Sequence, residues 1–333
     1  MEVVQVATGL ISIPPNGWGA VERIIWEYHN NLQILDVNSS IKTWNEIEDR
    51  KDQIVHCHMA NTALDMKSRG IPYIYSLHDH HAEWYGKNSG VYNYNYEAIK
   101  GSIFSICHSK HILNYFETDK LFYLSHGVNT NFFKYNEFTD SNNHSLLMVA
   151  NNGIAGDVSI DRKGFIFGIE AAKSLNLPIT IAGPENNLGF FEAHKYLLDY
   201  DKLTIKCNNP TDDKLLELYH NHTIFLAPSM IEYGHPNLSL LEAISCGLPV
   251  VGTCNNPPVG MIACENNKGS VIHNLKLMIE HYDFFRSAIK NELKSYDWIF
   301  VCEKLKKMYK AAEVNRLSWN SESTKLAYIN AYV

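Results

Sequence analysis

Short apolar runs alternate with amphipathic stretches along most of the chain, strand-length runs separated by segments with a helical period. In the first half this predicts strands at Val3–Ala7, Gln53–His56, Tyr73–Leu77, Ile103–Cys107 and Leu121–Leu124. Helices fit Val21–Asn31, Thr62–Arg69 and Lys110–Phe116. The polar, Asn-rich stretch NTNFFKYNEFTDSNNHS has no period and reads as a linker. A second series starts at Leu146, with strands at Leu146–Ala150, Ile179–Ala182, Leu203–Lys206, Thr223–Ala227, Pro249–Gly252 and Gly269–Ile272. Helices there fit Phe165–Leu175, Asp212–Asn221, Leu238–Cys246 and Leu275–His281, with a longer one over Trp298–Ala312. Strands alternating with helices make parallel sheets covered on both faces, and 333 residues exceed one ordinary core. The expected architecture is α/β, with two doubly wound, Rossmann-like domains over 1–135 and 136–312 facing across a cleft. The tail 313–333 is free to pack back on the first. In such sheets ligands bind at the carboxyl ends of the strands.

Composition narrows the function classes. Hydrophobic residues at 45% and charged residues at 20% are ordinary for a globular protein. A net charge of −7 argues against a surface built for a nucleic-acid backbone, although a local positive pocket could still hold a small anion. Seven cysteines without a C-x-x-C pair point to reduced thiols and a cytoplasmic setting. No apolar run approaches the about 20 residues that span a bilayer, and MEVVQVATGLISIPP reads as a buried strand rather than a signal peptide. Peripheral membrane contact through one basic patch stays open.

The richest segment is PSMIEYGHPNLSLLEAISCGLPVVG, from Pro228 to Gly252. Asn237 is a natural N-cap, Leu238, Leu241 and Ile244 recur at helical spacing, and Gly247 supplies the stop. A helix start offers backbone N–H groups, here near Leu238 and Ser239, and the positive end of a dipole, which suits a diphosphate. Glu232 before the helix and Glu242 within it would be repelled by phosphates but can accept hydrogen bonds from sugar hydroxyls. Together these features suggest a nucleotide sugar.

This segment resembles the donor-site signature of retaining GT-B glycosyltransferases, of the group 1 or family 4 type. The resemblance covers roughly Val3 to Tyr309 and is strongest in the second half. It implies a metal-independent hexosyltransferase with no cofactor, an acceptor-side first domain and a donor-binding second domain. Glu232 and Glu242 bracket nine residues, a longer spacing than in the family. The resemblance gives Glu242 the donor ribose and Glu232 the donor sugar.

Other segments match family motifs. In GLISIPPNGWGAVERII, Gly17, Gly19 and Glu22 fit a loop bordering the diphosphate and acceptor, with Ala20 in place of a second glycine. In VANNGIAGDVSIDRKGF, Lys163 matches a diphosphate-gripping lysine. The companion arginine position holds Asn151 or Asn152, which leaves Arg162 to supply the second cation. A cation beside a helix start is unfavourable unless an anion lies there. His78 matches a single histidine near the anomeric centre, Gly183 lies where a loop approaches the base, and SHGVNTNFF, with His126, closes the first domain. Read without the family, His56, His58, His78, Asp79 and His80 could instead converge on a metal. The sugar-facing role for His78 is preferred, with no metal.

The expected reaction moves a sugar from a UDP- or GDP-hexose to a glycan, lipid-linked or protein acceptor in glycan synthesis, with no nucleic-acid partner. Alternatives are a nucleotide-sugar epimerase of the same fold, a non-catalytic nucleotide-sugar binder, and a metal hydrolase built on the histidines.

Overall fold

Strands such as β1 (Glu2–Val6), made mostly of β-branched residues, are buried along their length and pair only with parallel neighbours. The computed structural model describes residues 2–78, 81–137, 143–152, 160–230 and 236–316. They form two units, one made by the chain up to Pro15, Gly19–His126 and the stretch from Trp298 on, the other by Asn16–Trp18 and Gly127–Asp297.

In the first unit β1 is followed by α1 (Ala20–Ile34), β2 (Asn38–Lys42), β3 (Gln53–Cys57), α2 (Ala60–Ser68) and β4 (Tyr73–Leu77). Then come α3 (His81–Tyr85), α4 (Gly90–Gly101), β5 (Ser105–Cys107), α5 (Lys110–Tyr115) and β6 (Leu121–Tyr123). The sheet order is β2-β1-β3-β4-β5-β6. Every residue of β3 and β4 is buried, as central strands require.

The second unit runs β7 (Leu146–Val149), α6 (Phe165–Leu175), β8 (Ile179–Gly183), α7 (Leu188–Ala193), β9 (Leu203–Cys207), α8 (Asp212–His220) and β10 (Ile224–Ala227). It continues with α9 (Leu238–Ser245), β11 (Val250–Gly252), β12 (Met261–Ala263), α10 (Lys268–Glu280) and α11 (Tyr282–Glu292). Its order is β12-β11-β10-β7-β8-β9. Successive residues of β7 feed different cores: Leu146 and Met148 join Phe165 and Ile169, while Leu147 joins Leu240, Leu241 and Ile244. Both faces are therefore covered, each fully buried large side chain contributing about 1.5–3 kcal/mol. On β9, Thr204 and Lys206 are exposed, as suits a strand at the sheet edge.

The last helix, α12 (Trp298–Asn315), belongs to the first unit. The Trp298 ring meets Tyr28 of α1 edge-on at 5.7 Å, and the Tyr309 hydroxyl accepts from Gln5 Nε2 at 2.9 Å.

Three local expectations are corrected. Gly269–Ile272 is helix, not strand: Asn267 caps α10 by accepting from Ser270 N, and Val271, Leu275 and Met278 recur at helical spacing. Strands β2 and β12 were missed, because NSSIK is mostly polar and MIA is only three residues long. The Tyr- and Asn-rich α4, capped by Ser89, was also missed, since its few buried side chains sit among aromatics that blur the period.

Candidate functional site

In the second sheet the chain order runs outward from β7 in both directions, so β7 and β10 flank the switch point where α/β sheets hold ligands. Asn151 and Asn152 lie just past the end of β7, and residues 228–230 follow β10. The turn Arg162–Gly164 joins them. Met230 N donates to the Arg162 carbonyl at 2.8 Å, and Gly164, at φ 75°, leaves no room for a Cβ against the Pro228 carbonyl. Thr253 Oγ1 donates to Ser229 O at 2.7 Å and fixes the same loop from β11.

Asn152, buried to 3% exposure, holds this turn in place. Its N–H donates to Asn187 Oδ1, its Nδ2 to Ile160 O and its Oδ1 accepts from Lys163 N, each at 2.9 Å. Of the two asparagines that could stand at the arginine position the resemblance expects, Asn152 is thus taken up by local structure. Arg162 Nη2 donates to the Asn151 carbonyl at 2.5 Å, so its guanidinium lies beside the chain that leaves β7. Lys163 is only 7% exposed.

Asp161 was not singled out from the sequence. Its carboxylate accepts from Phe165 N at 2.8 Å and Ile166 N at 2.7 Å, taking up the first N–H groups of α6. Burial raises its pKa above the usual carboxylate range, outweighing the N–H donors that lower it. Asp161 thus supplies the side-chain acceptor at the start of α6, just ahead of Arg162 and Lys163 in the chain. The signal was an Asp four residues ahead of the first helical residue.

Residues 231–235, which include Glu232, lie between Met230 and α9 in the chain and are outside those described. Asn237 caps α9 as the sequence indicates, accepting from Leu240 N and from Ser239 Oγ, both at 3.0 Å. Gly247, at φ 90°, ends the helix, with Leu248 N donating to Ala243 O at 2.9 Å. Glu242 projects from the second turn, and Oε2 accepts from Tyr219 Oη at 2.8 Å. Tyr219 is fully buried, and its phenol is pushed well above its ordinary range by burial first and by Glu242 second. Gly183 closes β8, where a Cβ would collide with Ala150 O and the Asn187 amide. The structure thus gathers Asn151, Arg162 and Lys163 at one strand end, bonded to the loop leading towards Asn237 and Glu242.

In the first unit, Gly19 (φ 123°) starts α1, and Glu22, 4% exposed, accepts from Thr8 Oγ1 at 2.5 Å. Glu22 thereby ties the loop after β1 to α1. Gly17, at φ 82°, is grouped with the second unit.

His78 follows β4 and is half-buried. Its Nε2 lies 2.9 Å from His58 Nδ1, and His58 Nε2 lies 2.8 Å from Gln5 Oε1. His56 sits between Tyr309 Oη at 2.7 Å and Ser76 Oγ at 2.8 Å. Burial, and after it the neighbouring imidazoles, depresses the basicity of His56 and His58 well below the histidine range. Both are therefore neutral network residues. Asp79 and His80 lie outside the described residues. The grouping suited to a metal among the described residues is His78, His108 and His126, not the set centred on His56.

Residues 159–315 match the family model of glycosyl transferases group 1. No curated protein sequence matches the chain. A glycosyltransferase from Rickettsia africae ESF-5 superposes with a TM-score of 0.65 at 16% identity, covering 93% of this chain and 98% of its own. Anabaena Alr3699/HepE, in complex with UDP and glucose, gives a TM-score of 0.69 at 12% identity over 93% of this chain and 99% of its own. An alpha-glucosyltransferase in complex with UDP-glucose and DNA containing an abasic site gives 0.60 at 13% identity over 93% and 98%. The fold is that of the GT-B glycosyltransferases.

Proposed function

We propose that this chain, a GT-B protein whose second unit carries the glycosyl transferases group 1 domain, moves a hexose-type unit from a UDP- or GDP-sugar to an acceptor hydroxyl with retention of anomeric configuration. The carrying observation is the bond between Arg162 O and Met230 N, which ties a turn bearing two cations to the loop that leads into α9. The difficult event in such a transfer is departure of the nucleoside diphosphate. Lys163, Arg162 and the N–H groups at Leu238 and Ser239 are preorganised positive groups that would meet the developing charge. Transfer would then need no divalent metal on the diphosphate.

The remaining roles follow the family resemblance. Glu242, oriented by Tyr219, holds the ribose, Asn151 stands on the diphosphate side of the donor site, and Gly183 borders the base. Glu232 orients the donor sugar, and His78 supports its ring as positive character builds. Gly17, Gly19 and Glu22 border the diphosphate and acceptor. Structures of similar fold solved with UDP and UDP-glucose favour a uridine donor. The acceptor is a glycan, lipid-linked or protein hydroxyl, and the seven free cysteines favour a reducing cytoplasm.

A thermal-shift panel of UDP- and GDP-sugars on wild type, Lys163→Ala and Glu242→Ala tests this reading. One nucleotide class should raise the wild-type melting temperature, with both variants blunting the rise. A panel that shifts nothing, or shifts all three proteins equally, overturns it. Product analysis with donor alone then separates transfer from epimerisation.

A further inference from the structure

Three adjacent parallel strands of the first sheet, β4, β5 and β6, each run into a histidine at the carboxyl end: His78, His108 and His126. Leu77 pairs with Cys107, and Cys107 with Tyr123, so the register brings His78 and His108 side by side and His126 close to them. One ring nitrogen from each histidine lies within 4.8 Å of the other two. His108 and His126 are buried, whereas His78 is half-exposed. We propose that His78, His108 and His126 bind a divalent transition-metal ion of zinc's ligand preference.

The hydrogen bonds around the cluster present lone pairs rather than protons. Gln5 Nε2 donates to Tyr309 Oη, which assigns Oε1 to the side facing His58. A carbonyl oxygen only accepts, so His58 carries its proton on Nε2, and its Nδ1 is left to accept from His78 Nε2 at 2.9 Å. That leaves Nδ1 as the lone-pair nitrogen of His78. His108 Nδ1 lies 2.8 Å from the Leu124 carbonyl, so it too holds the proton and leaves Nε2 as the lone-pair nitrogen. Outer partners of this kind fix the tautomers of metal-ligating histidines. Imidazoles alone select zinc, copper or nickel over magnesium or calcium. Bonds of about 2.0–2.1 Å to a tetrahedral ion set ligand nitrogens roughly 3.4 Å apart, so modest ring rotations would close the trio on the ion. Three protein ligands leave a fourth position for water, reached past half-exposed His78.

The ion would join the ends of three strands without involving Lys163 or Glu242, and it shares His78 with the donor-sugar role proposed for that residue. Chelated, donor-free protein is titrated with Zn²⁺, and with Co²⁺ as a spectroscopic stand-in, while metal content after dialysis and melting temperature are read. One equivalent of zinc per chain, a low-symmetry Co²⁺ visible spectrum and a raised melting temperature are expected. His108→Ala and His126→Ala should each weaken binding at least tenfold and abolish the melting shift. Zinc that fails to remain after dialysis, or that remains equally on both variants, overturns the proposal. Should a variant not fold, a wild-type Co²⁺ spectrum of octahedral aqueous type overturns it alone. Donor binding by the same chelated protein is a separate measurement, so failure here leaves the transfer reading standing.

Discussion

Tyr219 of α8 donates its phenolic hydrogen to Oε2 of Glu242 on α9 at 2.8 Å, and the same hydroxyl lies 3.2 Å from the Ser239 carbonyl. A buried aromatic side chain thus sets the direction of the carboxylate that the sequence singles out and steadies the first turn of its helix. In Tyr219→Phe the ring would still fill its place, so the expected stability loss is limited to about 0.5–1.5 kcal/mol. Donor affinity should fall several-fold while the acceptor KM stays put. Urea unfolding and donor titration check this; an unchanged donor affinity would mean Glu242 is not oriented for the ribose.

Lys163→Ala removes a nearly buried ammonium next to the α6 start. Charge-assisted contacts contribute about 1.5–3 kcal/mol, so donor Kd should rise roughly 10–100-fold. Free nucleoside should lose little, because it carries no diphosphate. Calorimetry with UDP and uridine side by side distinguishes the two, and an equal loss for both would count against a diphosphate contact.

Gly164 has φ 75° and faces the Pro228 carbonyl with no space for a Cβ. Gly164→Ala therefore combines left-handed backbone, costing about 1–2 kcal/mol, with a steric clash. The melting temperature should fall by several degrees. A variant as stable as wild type would show that the turn is not held against the β10 loop.

Asp161 supplies a pH test. Its carboxyl binds protons more tightly in the folded than in the unfolded chain, since burial raises it. Its contribution to stability is thus full below the unfolded value near about 4 and is lost as pH rises through the folded value. Asp161→Asn keeps an acceptor for the helix N–H groups without the charge. Relative to wild type, the variant should gain stability as pH rises from about 4 towards neutrality. Denaturation midpoints across that range decide the matter, and a difference that does not vary with pH would sink it.

Much of this was legible because it depends on local chemistry. Asn237 and Gly247 mark the ends of α9 by what Asn caps and Gly stops do anywhere, and the buried strands announce themselves as apolar runs. Elements whose stability comes from partners were hidden. Polar β2 exists because β1 pairs with it, and Gly269–Ile272 is apolar enough for a strand until Asn267 is seen to cap a helix. The same holds at the site. Lys163 stands out as a motif residue, but Asp161, Asn152 and Tyr219 act through contacts with distant or turn-related backbone that no spacing encodes. His108 escaped notice because only the register of β4 with β5 brings it to His78.

The closing helix carries a consequence for synthesis. Tyr309 binds Gln5 and His56, so the first unit lacks a wall of its interior until the ribosome has passed α12. The second unit, complete by Asp297, has all its strands translated earlier. Domains generally fold as units as they emerge, at about 5–20 residues per second. The order of maturation is therefore the reverse of the order of reading: the part begun first is sealed last, and a nascent chain stalled before Trp298 would hold a finished second unit beside an unsealed first one.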